Sequence, residues 1–172
     1  MKKFTIYFLF LIVFVSGSLF ESYAQISNGG TPYSVMFQLD DHYQHLNFTS
    51  PNMVSIATED LINEAANPNK PRRMGVSVVI DKTLQNSGTW TIIPDVGKVW
   101  RMQISVDGAL ALGIYYDNFF IPEGGELFLY NYDKTQTIGA FTHTNNPESH
   151  LFSTQFIEGD KVTLEYFQPD NV

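Results

Sequence analysis

The chain has 172 residues and an acidic balance, since ten lysines and arginines stand against 18 aspartates and glutamates, which gives a net charge of −8 at pH 7. This charge repels phosphate backbones and anionic lipid, so we expect neither nucleic acid nor a membrane surface as a partner of the mature chain. There is no cysteine, which excludes a small disulfide-stapled toxin or growth-factor scaffold, and the length suffices for one domain with its own core.

The N-terminus has the layout of a secretory signal peptide. Two lysines precede an apolar run, residues 4–15, which is shorter than the roughly 20 residues that a membrane-spanning helix needs. Small residues at positions 22 and 24 predict cleavage between Ala24 and Gln25; an uncleaved membrane anchor is the alternative. We therefore expect residues 1–24 to be removed and the mature protein to be secreted, either extracellular or periplasmic.

Residues 25–73 are predicted to form a mostly irregular leader. A patch at residues 33–39 is strand-like and is a weak candidate to pair with the later sheet. Residues 59–66 predict two helical turns that begin after a Thr58 cap and end before the Asn67-Pro68 break.

From residue 74 to residue 172 the sequence predicts an all-β domain. Apolar and β-branched runs recur at short spacing, with turn sequences rich in Gly, Pro, Asn and Asp between them. The predicted strands cover residues 75–80, 88–93, 98–106, 109–116, 126–132, 137–142, 151–157 and 161–167. About eight short strands with this spacing favour an antiparallel β-sandwich or jelly roll over an α/β fold.

Strict alternation in residues 98–106 separates an apolar face from a polar one. Trp100 falls on the apolar phase, so burial is favoured over use as a sugar-stacking platform; Trp90 is not assigned to either role. Arg101 falls on the opposite phase and is predicted to face solvent or an acidic neighbour. The core is expected to contain Trp100, Met102, Ile104, Leu127, Leu129, Phe141, Val162 and Leu164.

The order of the motifs along this region resembles a known module. The motifs are Gly88-x-Trp90, Val99-Trp100-Arg101-x-x-Ile104, Pro122-x-Gly124, Gly139-Ala140-Phe141-Thr142 and Gly159-Asp160-x-Val162. Together with the leader they resemble the N-terminal non-catalytic pro-region of secreted bacterial lysyl-endopeptidase-like and trypsin-like serine proteases of the Bacteroidetes type. The resemblance implies a partner, a trypsin-like domain. It follows in cis in that family, and for this chain it could be encoded either directly downstream or separately, to act in trans.

No catalytic constellation is predicted in the chain itself. A trypsin-like site needs a His base, an orienting Asp and a Ser in a Gly-rich turn, and no Gly-Asp-Ser-Gly or Gly-x-Ser-x-Gly sequence occurs. His143 and Ser153 could be close on neighbouring strands, but a polar sheet-edge pair is the preferred reading. We therefore expect no enzymatic activity; the associated activity of the resembled family is Lys/Arg-specific serine endopeptidase.

Two groups of polar residues have ligand types that can bind a metal ion, but neither is predicted to be a metal site. Asp40, Asp41, His42 and His45 have a spacing that can hold a metal, but solvated leader is preferred. Asp117-Asn118 and Asp133 could hold calcium at strand ends, but ordinary turn chemistry is preferred. No cofactor and no metal are expected.

Lys70, Arg72 and Arg73 lie in a Pro-flanked segment where a basic-residue-specific protease could cut and release a flexible leader. The favoured function is therefore that of a non-catalytic accessory pro-region, which assists folding of a serine endopeptidase domain or shields it. The alternative is a stand-alone secreted module that binds carbohydrate or protein. A glycan is less favoured as a partner than the protease domain.

Overall fold

The computed structural model describes residues 27–170 and shows a β-rich fold. The predicted cleavage site between Ala24 and Gln25 lies outside the described residues. The strands are β1 Gln44–Phe48, β2 Thr89–Ile93, β3 Gly97–Val106, β4 Ala111–Leu112, β5 Tyr115–Tyr116, β6 Glu126–Asn131, β7 Thr137–Phe141, β8 Phe152–Ser153, β9 Ile157–Glu158 and β10 Lys161–Pro169. The helices are α1 Tyr33–Met36 and α2 Met53–Ala66, with a 3₁₀ turn at His143–Asn145. Neither α-helix of the described part of the chain is long and apolar enough to cross a membrane.

Six strands form one sheet, with the order β1-β3-β10-β6-β7 and with β2 also paired to β3. β10 runs antiparallel to β3 along residues 161–169 and to β6 on its other side. The opposite edge of β3 is shared, because β2 pairs antiparallel with its first half and β1 pairs parallel with its second half. Two-stranded sheets β4-β9 and β5-β8 complete the strand pairing.

The main core lies on one face of the six-stranded sheet, against the segments that carry the small sheets. All eight residues that the sequence assigned to the core lie in this buried cluster, together with Ile114, Phe119, Ile121, Phe152 and Ile157. Trp100 is 4% exposed, and its indole Nε1 donates to the Ser87 carbonyl at 2.6 Å. Trp90 is half-buried and meets Tyr166 edge to face at 6.1 Å between ring centroids.

The structure explains why the motif Gly88-x-Trp90 begins with glycine. Its φ is +75°, and a Cβ built there would lie 2.1 Å from the Trp100 ring. Only glycine therefore fits both the backbone conformation and the close approach of the indole.

The second face of the six-stranded sheet is also covered. Of the two alternatives predicted for Arg101, solvent is therefore wrong, whereas an acidic neighbour, Asp40, does lie 3.9 Å away. Arg101 is 1% exposed and Glu165 is 0% exposed, although both lie on the polar phase of their strands. The cover comes from the leader: Tyr33 stacks on Phe167 at 3.7 Å between ring centroids, and Leu39 packs with the Val99 cluster. Polar residues are buried here because a second layer of chain lies over them.

The leader is more structured than predicted. The strand-like patch at residues 33–39 holds the short helix α1, and residues 44–48 form a sheet strand instead. Helix α2 ends at Ala66, where the sequence places the break, but it begins at Met53, because the Asn52 side chain accepts from the Ser55 N–H at 3.1 Å and caps the helix.

The predicted strand at residues 75–80 is absent from the described structure. This segment contains a β-branched run, but both halves of the available edge of β3 are already occupied by β1 and β2. A β-branched run alone does not make a strand, because β-propensity depends on pairing and packing against a neighbouring strand.

Candidate functional site

Residues 51–86, which connect β1 to β2, form an exposed arm. None of these residues is fully buried, although the arm makes up a quarter of the described chain. The predicted processing residues Lys70, Arg72 and Arg73 all lie in the arm. An ordered segment that buries so little of itself is a natural place for contact with another molecule.

The two arginines of the arm are held against helix α2 by ion pairs. The Arg73 guanidinium pairs with Glu59 at 3.0 Å and with Asp60 at 3.1 Å, and Arg72 pairs with Glu64 at 3.1 Å. The carboxylates belong to successive turns of one helix, so the chain after the helix runs back along it. Such exposed pairs are each worth only about 0–1 kcal/mol, so they orient the segment without locking it.

Helix α2 carries an apolar stripe that points away from the body of the protein. Val54, Leu61 and Ile62 are 79%, 70% and 64% exposed, and their spacing places them on one side of the helix. The partly buried residues of the helix, among them Ile56 and Asn63, lie on the other side. Within the described residues, nothing covers the stripe.

The leader holds the sheet through a set of contacts made by residues 28–48, which we call the clasp. Asn28 and Gly29 exchange backbone hydrogen bonds with Gly139 and Ala140 of β7, at 2.8–3.1 Å. At the other end of the clasp, β1 pairs with residues 102–106 of β3 in a five-residue register. The leader thus binds both edges of the sheet and crosses the face between them.

A buried carboxylate lies at the centre of the clasp. Glu165 accepts from the Ser34 backbone N–H at 3.0 Å through Oε1 and from the Tyr130 hydroxyl at 2.9 Å through Oε2. Burial, and then the nearby Glu165 carboxylate, raise the pKa of Tyr130 far above its ordinary value. The Tyr130 phenol therefore stays protonated and remains a donor to Glu165.

A buried arginine lies on the strand next to that of Glu165. Arg101 is the register partner of Glu165 on the neighbouring strand. Its Nη1 donates to the Asp40 carbonyl at 2.6 Å, and its Cζ lies 4.7 Å from the centroid of the Tyr43 ring. Among the described residues, its Nε and Nη2 have no hydrogen-bond acceptor, although Nη2 lies 3.9 Å from Oδ1 of Asp40. One buried cation therefore ties two leader residues to the middle of the sheet.

The residues weighed as metal ligands do not form a cluster in the structure. His42 is 95% exposed and its Nδ1 lies 3.7 Å from Oδ1 of Asp40. Asp133 accepts from the Thr135 hydroxyl and backbone N–H, which lowers its pKa and closes a turn. Within residues 27–170, no group of three His, Cys, Asp or Glu side chains is placed to hold a metal ion.

The sequence suggested that His143 and Ser153 could lie on neighbouring strands, but they do not. His143 begins the 3₁₀ turn, whereas Ser153 lies in β8 opposite Tyr115. The structure thus assigns the two residues to different kinds of element.

The clasp was missed by sequence reasoning. The available signal was a carboxylate inside an otherwise apolar strand, Val162 to Phe167, and an arginine inside Val99 to Met102. A charged residue on a long apolar strand indicates a buried pair as readily as a solvent face.

No protein-family model matches the chain, and no solved structure matches it.

Proposed function

We propose that this chain is a secreted, non-catalytic accessory module, a pro-region that assists folding of a trypsin-like serine endopeptidase domain or shields it. The observation that carries the proposal is the exposed arm, an ordered helix and basic segment built on a rigid body and left uncovered. We also propose that the body is a β-sandwich of the jelly-roll type. In support, the main core is filled from the six-stranded sheet on one side and, on the other, from residues outside that sheet, namely Ile114, Phe119, Ile121, Phe152 and Ile157.

The packing of the leader on the sheet supports a pro-region more than it supports a simple binding module. The sequence resemblance includes both the leader and the strands, and the clasp joins the two into one folded unit. The leader covers its own sheet, and the arm is the part left available for the enzyme.

The contact with the enzyme is assigned to the apolar stripe of α2. An accessory module promotes folding only if it binds the folding intermediate or the native enzyme better than the unfolded chain. Val54, Leu61 and Ile62 offer an apolar surface that nothing in the described part of the chain covers. A helix that lays such a stripe into a groove is a common way for a partner to be recognised.

The test is the activity of the cognate Lys- or Arg-specific endopeptidase, measured with increasing amounts of residues 25–172 added in trans. We expect the module alone to cleave no peptide substrate and to slow the enzyme in a saturable manner. A double variant, Leu61→Ser with Ile62→Ser, should weaken this inhibition, whereas Tyr132→Ser, an exposed aromatic far from the arm in sequence, should not. No effect of the unaltered module on the enzyme would contradict the shielding role.

A carbohydrate- or protein-binding module is the second candidate, favoured by two exposed aromatic rings. Tyr115 and Phe120 are 82% and 65% exposed, and both flank the Asp117-Asn118 pair. Exposed rings beside polar side chains can stack on sugars. Saturable glycan binding that is lost in Tyr115→Ala, together with no effect on the endopeptidase, would replace the pro-region proposal with this one.

A further inference from the structure

The backbone of the arm differs from that of the other segments that carry basic residues. Within the described part of the chain, residues 71–80 make no backbone hydrogen bond. Proteases of the trypsin type bind their substrates as extended strands through backbone hydrogen bonds. Residues 71–80 can therefore enter a protease cleft without first breaking bonds within the protein.

The remaining lysines and arginines of the described chain lie in or beside hydrogen-bonded segments, and those bonds must break before a protease can bind the backbone. Lys134 lies in the tight turn between β6 and β7, which is closed by bonds from Lys134 to Asn131 and from Asn131 to Gln136. Lys82 is next to a loop in which the Asn86 side chain bonds to both Thr83 and Asp81. The others lie within β3 or β10, namely Lys98, Arg101 and Lys161.

Within the arm, Arg72 is the basic residue best placed for cleavage. Lys70 is followed by Pro71, whose ring and missing N–H hinder the extended binding mode. Arg73 is 30% exposed and engages two carboxylates, whereas Arg72 is 80% exposed and engages one. The Arg72 side chain therefore has to give up only its ion pair with Glu64, on helix α2, to enter the specificity pocket of a protease.

We propose that the Arg72–Arg73 peptide bond is a processing site for a secreted arginine-specific serine endopeptidase, and that the two pieces stay assembled after the cut. Water is the second reactant: the C–N bond breaks, Arg72 gains a carboxylate, and the nitrogen of Arg73 becomes an ammonium group. The inference does not rest on the accessory function, since any endopeptidase of this class suffices.

Retention of the N-terminal piece follows from the clasp. The piece ending at Arg72 keeps β1 paired to β3, the backbone bonds of residues 28–29 to β7, and the Ser34 bond to Glu165. Arg73, on the other piece, keeps its carboxylate partners on α2. Cutting an exposed connection removes none of these contacts, so the earlier expectation that a cut releases the leader is replaced by a nicked, assembled product.

The test is limited digestion of residues 25–172 with trypsin, followed by mass spectrometry and by size-exclusion chromatography with and without concentrated guanidinium chloride. The first products should be residues 25–72 and 73–172. They should elute together under native conditions and apart in denaturant. A first cut after Lys82 or Lys134, or separation of the pieces under native conditions, would overturn the proposal.

Three variants test which bond is cut and what keeps the leader piece bound. Each is first checked for a native circular-dichroism spectrum. Arg72→Gln should slow cleavage at this bond by about 100-fold or more, because a pocket that pairs a cation rejects a neutral side chain. Lys70→Gln should leave the rate unchanged. Tyr33→Ala, which removes the ring stacked on Phe167, should still be cut at Arg72 but should release the leader piece more readily. An unchanged first cut in Arg72→Gln would assign the site to Arg73 and overturn the choice of bond.

Discussion

Replacing Arg101 by alanine tests the account of the buried clasp most sharply at the level of stability. The sequence pattern predicts that Arg101 faces solvent or an acidic neighbour, and truncation costs little only if the head group is exposed; the structure leaves Arg101 1% exposed. Its guanidinium joins the Asp40 carbonyl and the Tyr43 ring of the leader to the sheet. The variant therefore removes a cation from the centre of the fold.

The magnitude follows from the contacts that are lost. A hydrogen bond from a charged donor is worth about 1.5–3 kcal/mol, and a buried cation–π contact adds about 0.5–2 kcal/mol. Together these two contacts predict that the free energy of unfolding falls by about 2–5 kcal/mol.

The assay is urea unfolding of residues 25–172, with the free energy taken by linear extrapolation. Trp100→Ala, a core truncation, should lose a similar amount, about 3–5 kcal/mol. Arg72→Ala, an arginine that is 80% exposed, is the matched control and should change stability by less than about 1 kcal/mol. A loss for Arg101→Ala as small as that of Arg72→Ala would show that the guanidinium is solvated and that the leader does not cover this face.

Three further predictions concern a glycine, a tyrosine and export. Gly88→Ala should destabilise the fold by roughly 3 kcal/mol or more because its Cβ would clash with the Trp100 ring; Gly108→Ala has the same φ of +75° but open space and should cost only about 1–2 kcal/mol of backbone strain in thermal or urea melts. The raised pKa of Tyr130 in the folded state means that the unfolded chain loses its phenolic proton first, so stability should hold below about pH 10 and fall above it, less steeply in Tyr130→Phe; an equally steep fall in that variant would contradict the burial of this phenol. N-terminal sequencing of the exported protein should show cleavage after Ala24, and a mature form that keeps residues 4–15 would contradict secretion.

The strands and the main core were predictable because one face of the sheet follows a simple period of two. Trp100, Met102 and Ile104 alternate with polar residues, and the same phase continues in Val162 and Leu164 on the neighbouring strand. Local alternation fixes which side chains share a face. It does not fix what lies over the opposite face, which depends on contacts between residues far apart in the chain.

The candidate site was less predictable for that reason. The basic residues at 70–73 stood out by composition, and their Pro-flanked setting indicated exposure. The clasp depends on residue pairs such as Ser34 with Glu165, which are separated by 131 positions. The arm was also hard to predict. Residues 75–80 have a strand-forming composition, but β1 and β2 pair with the edge of β3 instead of them.

Refolding of the cognate endopeptidase in trans tests the central claim most directly. The denatured enzyme is diluted into buffer with residues 25–172, with the Leu61→Ser/Ile62→Ser variant, or with neither, and recovered peptidase activity is measured after the module has been removed. The account predicts a yield that rises with the unaltered module, saturates near one module per enzyme, and rises much less with the variant. A yield that is the same in all three samples would contradict the role of this chain as a folding partner of the protease.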